Sequence, residues 1–266
     1  MEESEKGQVS TSAAKIYETF YLPALFQEWV GRVCATATLA SGESVLDVGC
    51  GTGVLAREAL VHVNPNGRVV GLDVNEGMLA VAQSASSDID WKLGQAEALP
   101  FEAGTFDAVV SQFGLMFFED RIAALKEMWR VLRLGGRLVV VVWDGLDRSP
   151  GYAAITALLR RLFGDEIADR ILPIFSLGDK EVLFTLFEKA GIPDVSIRTE
   201  NGSARFPSIE SWVYTDIKGW TLADVIDDAQ YKRLLQAALV ELKPFEQSDG
   251  SAIFTMPAHI VSVNKD

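Results

Sequence analysis

Ser44-Val-Leu-Asp-Val-Gly-Cys-Gly-Thr-Gly53 is the stretch whose reading decides the fold. Val45, Leu46 and Val48 form a short apolar run of the kind that parallel sheets bury on both faces. Gly49, Gly51 and Gly53 follow at alternate positions. Leu55, Ala56, Ala59, Leu60 and Val63 then fall on one helical face. The pattern predicts a strand, a glycine turn and a helix. Glycine suits a backbone that bends sharply or lets a ligand approach closely. The start of the helix offers unpaired N–H groups and a partial positive charge to an anionic group.

The residue choices narrow the ligand. The dinucleotide fingerprint G-x-G-x-x-G wants glycine where this chain has Val54, and the third glycine comes one residue early. No Lys-Ser or Lys-Thr follows, which excludes a nucleotide-triphosphate loop. Asp47 lies inside the strand just before the turn. A carboxylate there repels a pyrophosphate but suits a cation or an amine. A ligand with an ammonium, a carboxylate and a ribose fits better than one with two phosphates.

The composition sets the class. The chain has 266 residues, 48% of them apolar, enough for one large α/β domain with embellishments or two small ones. A net charge of −13 argues against a nucleic-acid or anionic-membrane surface. Cys34 and Cys50 make neither a metal-ligand spacing nor a disulfide framework. The polar start Met-Glu-Glu-Ser-Glu-Lys does not read as a signal peptide, and residues 1–12 read as disordered. The longest apolar run, Leu138 to Trp143, is too short to span a bilayer. A cytoplasmic protein is the expectation.

Further units follow in order. Residues 13–39 are helical in pattern, with a break expected near Pro23. Tyr17, Phe20, Tyr21, Phe26 and Trp29 make the segment aromatic, either as core or as a lid over a cleft. Arg68 to Asp73 reads as a second strand ending in a carboxylate. Twenty residues past Gly53, Asp73 sits where a βαβ unit meets a ribose, or it caps the next helix. Ile89–Leu93, Phe106–Ser111 and Arg137–Trp143 read as strands three to five. Asp120 opens the helix before the fifth, and Gly135-Gly136 ends it. Asp179 to Gly191 reads as an amphipathic helix capped at both ends. Val195–Thr199 and Ala252–Val263 read as strands six and seven, the last antiparallel. Residues 145–178 and 201–250 are insertions, the second mainly helical and carrying Phe206, Trp212, Tyr214, Trp220 and Tyr231. The expected fold is a Rossmann-like, doubly wound, mostly parallel seven-stranded sheet in one domain. Its core spans about 42–144, 179–200 and 251–266, under a lid at 13–40.

Val45-Leu-Asp-Val-Gly-Cys-Gly-Thr-Gly53, Asp73, Leu99-Pro-Phe101 with Phe106-Asp107, and Arg130-Val-Leu-Arg-Leu-Gly-Gly136 stand in the order of one known set. The chain resembles the class I S-adenosylmethionine-dependent methyltransferases of type 11, which include quinone-biosynthesis and small-molecule enzymes. The resemblance spans residues 42–144 and extends to the helix at 179–191. It implies S-adenosylmethionine as cofactor and S-adenosylhomocysteine as product. It implies cofactor contacts at Asp47, Gly49, Cys50, Gly51, Thr52, Gly53, Asp73, Val74, Met78, Gln95, Ala96, Glu97, Ser111 and Gln112. The family usually carries Asp where this chain has Gln95, whose carbonyl still accepts from an adenine amine. Glu97 also reads as a loop anchor, and Asp107 as structural.

Family chemistry is one in-line displacement that rests on positioning. It requires no metal and no covalent enzyme residue. The methyl acceptor is expected to be a small, apolar or aromatic molecule bordered by Tyr17, Tyr21, Phe113, Phe117 and Trp143. No catalytic base emerges, because His62 reads as a surface residue and His259 as core or sheet edge. A monomer or homodimer without nucleic-acid or integral-membrane partners is expected. The rival readings are a non-catalytic S-adenosylmethionine-binding protein and a nicotinamide oxidoreductase. Asp47 and Val54 oppose the latter.

Overall fold

The computed structural model describes residues 11–266 apart from 219–221, 223 and 224. The expected disorder at 1–12 therefore falls almost wholly outside the described residues, as does Trp220. The chain opens with α1 (Thr11–Ile16), a π-helical stretch (Tyr17–Phe26) and α2 (Gln27–Thr36). Next come β1 (Ser44–Val48), α3 (Val54–Val63), β2 (Arg68–Asp73), α4 (Glu76–Ala85) and β3 (Asp90–Leu93). They are followed by β4 (Phe106–Gln112), α5 (Arg121–Val131), β5 (Leu132–Trp143), α6 (Pro150–Phe163) and α7 (Asp165–Ala168). The rest comprises α8 (Lys180–Ala190), β6 (Ser196–Glu200), β7 (Ser203–Phe206), α9 (Ile209–Lys218), α10 (Asp228–Glu241), β8 (Ala252–Thr255) and β9 (Ala258–Asn264).

Seven strands form the main sheet in the order β3-β2-β1-β4-β5-β9-β6. Only β9 runs antiparallel, against β5 and β6. This is the expected Rossmann-like sheet. Its central strands are apolar because both faces are covered: Val45, Leu46 and Val48, Ala108 to Val110 and Leu138 to Val142 are all buried. Strand order reverses between β1 and β4, so their carboxyl ends flank the crevice where open α/β sheets bind ligands. Among the described residues no helix is long and apolar enough to cross a membrane.

Several local expectations are corrected. Pro23 does not break the N-terminal helix. The wider π-helical turns accommodate it, and the Gln27 amide donates to the Leu22 carbonyl across them. The helix before β5 ends at Val131 rather than at the glycines. Gly135 and Gly136 instead exchange backbone bonds with Lys265. The last strand is two strands. Met256-Pro257 interrupts it, so β8 leaves the main sheet and pairs with β7 in a separate ribbon. The insertion at 201–250 thus contributes a strand as well as helices. The caps at Asp120 and Asp179 form as expected, each carboxylate accepting from two amides of the following turn.

The N-terminal segment and both insertions meet over the carboxyl ends of β4 and β5. Phe113 stacks on Trp143 with ring centroids 3.7 Å apart. Phe26 lies against both rings, and Trp29 meets both edge-on. Tyr17 stacks on Phe26 at 5.2 Å.

Candidate functional site

The turn after β1 is built from left-handed glycines. Gly49, Gly51 and Gly53 have φ of 71°, 54° and 86°. The amides of Gly49 and Cys50 both donate to the Leu72 carbonyl, which clamps the turn to β2. Behind it lies a residue that sequence reasoning missed. A Cβ on Gly53 would fall 2.2 Å from the Trp91 ring, and one on Gly71 would fall 2.4 Å from it. Trp91 fills the hollow under the turn and is held by its indole N–H donating to the Ser86 carbonyl. These glycines therefore serve packing.

Asp73 is integral to the turn. Its carboxylate accepts from the Gly51 amide at 2.7 Å and from the Asn75 amide at 2.9 Å. Asn75, not Asp73, caps α4, its side chain accepting from the Met78 amide. The capping alternative for Asp73 thus falls away. Burial pushes its carboxyl up, against the pull of the Asn75, Gly51 and Val74 amides. Asp47 is 1% exposed. Burial, helped by the charge of Asp73, pushes its carboxyl up to about 8.

Five buried polar atoms around the β1 and β4 ends have no hydrogen-bond partner: Asp47 Oδ2, Thr52 Oγ1, Ser111 Oγ, Gln112 Oε1 and Glu18 Oε2. Pairing places Asp47 beside Val110, so Gln112 shares its face of the sheet and Ser111 takes the other. Glu18 reaches the same place through Arg57, which binds Glu18 at 2.8 Å and the Thr52 carbonyl at 2.6 Å. Each orphaned buried group costs about 1–3 kcal/mol unless a ligand satisfies it. Two carboxyl groups, a carboxamide oxygen and two hydroxyls suit a cationic ligand with several N–H or O–H groups. S-Adenosylmethionine is such a ligand, and the residues fit it.

Val74 is exposed, Met78 half-buried, Gln95 exposed and Ala96 buried. Glu97 accepts from the Asp120 amide at 3.3 Å, as a loop anchor does. Cys50 is a buried free thiol. The Leu99-Pro-Phe101 loop is pinned by α5. Arg130 donates to the carbonyls of Leu99 and Phe101, and Glu127 accepts from the Leu99 amide. Two separate sequence signposts are thereby one device. Asp107 accepts from the Ser44 amide and pairs with Arg133, a structural duty.

Of the five expected acceptor residues, Tyr17, Tyr21, Phe113 and Trp143 share the aromatic cluster, and Phe117 is 46% exposed. Burial, together with the charges of Asp73, Glu18 and Asp47, keeps the Tyr17 phenol protonated and so a donor. The second residue missed is Asp216. The phenols of Tyr21 and Tyr152 each donate to its Oδ1 at 3.1 Å, and the Trp212 indole N–H donates to Oδ2 at 2.8 Å. It joins the N-terminal segment to both insertions. Its signal in the sequence was a lone Asp on the apolar face of α9, four residues after Trp212. His259 is buried and pins the sheet to the first insertion. Its Nε2 faces the Gly178 carbonyl at 2.9 Å and Asp144 at 3.2 Å, and its Nδ1 faces Thr199.

Comparisons with known proteins identify the family. Residues 19–154 match the family model described as the ubiE/COQ5 methyltransferase family. The chain is 35% identical over 188 residues to a demethylmenaquinone methyltransferase of Staphylococcus aureus (strain JH9), covering 65% of this chain and 78% of that protein. It is 42% identical over 106 residues to the Lactococcus lactis protein of the same name, covering 38% of this chain and 42% of that one. In fold it is similar to the YcgJ protein of Bacillus subtilis, with a TM-score of 0.61 at 21% identity over 90% of this chain and 99% of that one. A family match running from the N-terminal segment through β5 to the start of α6 takes in the glycine turn, Asp47, Asp73 and the pinned loop, and the chain belongs to the ubiE/COQ5 methyltransferase family of S-adenosylmethionine-dependent enzymes.

Proposed function

We propose that this protein transfers a methyl group from S-adenosylmethionine to a small apolar or aromatic acceptor by in-line displacement. The cofactor supplies a methyl group already activated on a sulfonium sulfur. The chain supplies binding and alignment. Asp47, the Gly49–Gly53 turn, Asp73, Val74, Met78 and the Gln95–Glu97 segment hold the nucleoside and the amino-acid end. Asp73 is the ribose acceptor. Ser111 and Gln112, at the β4 end, lie between the cofactor turn and the aromatic cluster. That cluster excludes water and presents flat apolar walls to an acceptor. The observation that supports this reading is the set of buried polar atoms without partners along β1, the glycine turn and β4, at Asp47, Thr52, Ser111 and Gln112.

The named activity of the Staphylococcus and Lactococcus relatives puts quinols first on an acceptor panel. A cytoplasmic location belongs to the same proposal. The test is titration with S-adenosylhomocysteine, followed by transfer of radiolabelled methyl from S-adenosylmethionine to quinols, phenols and polar amines. Binding, with transfer confined to the apolar aromatic members, is expected. Transfer to polar amines alone would refute the acceptor class. Tight binding with no transfer at all would favour a non-catalytic binding protein.

A further inference from the structure

The N-terminal segment holds a carboxylate that the fold does not use up. One Glu18 oxygen pairs with Arg57 at 2.8 Å. The other is buried and has no partner. Arg57 stands in the first turn of α3 and also holds the Thr52 carbonyl. Glu18 is therefore tied to the glycine turn rather than to the outer face of the lid. Thr52, on that turn, and Asp47, in β1 just before it, are each 1% exposed and each keep one unpartnered oxygen. Tyr17, the neighbour of Glu18 in the chain, feels the charges of Glu18, Asp47 and Asp73 together.

Glu18, paired with Arg57, stands with Asp47 and Asp73 as three carboxyl groups on this side of the sheet, and burial opposes the charged form of Asp47. A ligand that brings positive charge would favour that charged form. An ammonium group has three N–H donors and no acceptor. The orphaned oxygens of Glu18, Asp47 and Thr52 number three. We infer that Glu18, reaching in from the N-terminal segment, joins Asp47 and Thr52 in receiving the ammonium of the cofactor's amino-acid end, so that the cofactor site is incomplete until that segment closes. The inference rests on the cofactor assignment proposed above. It adds a binding residue from outside the sheet and makes the lid a cofactor ligand as well as an acceptor wall.

The test compares two probes. S-Adenosylhomocysteine carries the ammonium, and 5′-methylthioadenosine lacks the whole amino-acid end. Both are titrated calorimetrically into the full-length wild type and Glu18→Gln. Loss of one charge-assisted bond should weaken S-adenosylhomocysteine about 10- to 100-fold. Binding of 5′-methylthioadenosine should stay within about twofold. Equal weakening of both probes would mean that Glu18 merely packs the segment, and it would overturn the inference. Unchanged affinity for S-adenosylhomocysteine would also overturn it. Should Glu18→Gln melt far below the wild type, Glu18→Ala is judged by the same ratio of affinities. A wild type that binds neither probe would instead sink the cofactor assignment itself, and this inference with it.

Discussion

Asp216→Asn separates a buried charge from the bonds around it. Asp216 is 6% exposed and has three neutral donors, with no cation among the hydrogen-bond partners described. Burial pushes its carboxyl from an ordinary 3.8 up to about 7, although the Trp212, Tyr152 and Tyr21 bonds pull the other way. A carboxyl raised on folding contributes its full stability below its unfolded pKa and loses it as pH rises through the folded one. The window therefore runs from about pH 4 to 7. At about 1.4 kcal/mol per pH unit, roughly 4 kcal/mol disappears across it. Asparagine does not titrate. Its carbonyl can still accept both phenols, but its NH2 meets the Trp212 N–H donor to donor, at a cost of about 1–3 kcal/mol. The variant should therefore be the less stable protein at pH 5 and should close or reverse the gap by pH 8. Tyr21 and Tyr152 remain protonated throughout, because burial and Asp216 push both phenols well up. Asp47 titrates in both proteins and cancels. Urea unfolding at pH 5, 6, 7 and 8 measures the gap. Parallel curves would show that Asp216 carries no buried charge worth counting, and the account of the roof would fail.

Other perturbations reach the cofactor side. Asp73→Ala removes the proposed ribose acceptor and the anchor of the Gly51 and Asn75 amides, so cofactor affinity should fall by about 2–4 kcal/mol. An unchanged dissociation constant for S-adenosylhomocysteine would place the ribose elsewhere. Gly53→Ala drives a Cβ into Trp91 and keeps φ at 86°. Overpacking of about 1–3 kcal/mol should add to a left-handed penalty of about 1–2 kcal/mol. Denaturant midpoints measure this, and Trp91→Leu should restore part of the loss. A Gly53→Ala protein as stable as wild type would mean that the turn is not packed as described.

Much of the site was legible because it is local. A strand, a glycine turn and a helix follow one another within twenty residues, and their periodicities differ. Asp73 could be placed beside the glycine turn because a βαβ unit puts the end of its second strand there. Asp120 and Asp179 were legible as caps because a cap bonds to amides two and three residues away. Trp91 was not legible. Its role depends on two glycines in other elements, one on the turn and one on β2.

What the sequence determined alone was the central sheet and the glycine turn at its carboxyl end, since both are set by short-range pattern and backbone chemistry. Tertiary structure decided the roof. Whether Ala252–Val263 made one strand or two depended on β7, some fifty residues earlier, offering a pairing edge. Whether Pro23 broke a helix depended on the aromatic layer beneath it, which the π-helical turns bury. Asp216 became a junction only when Tyr21, Tyr152 and Trp212 met around it, from segments up to 195 residues apart. Hydrogen bonds and packing between distant segments leave no periodic trace, so only the folded chain reveals them.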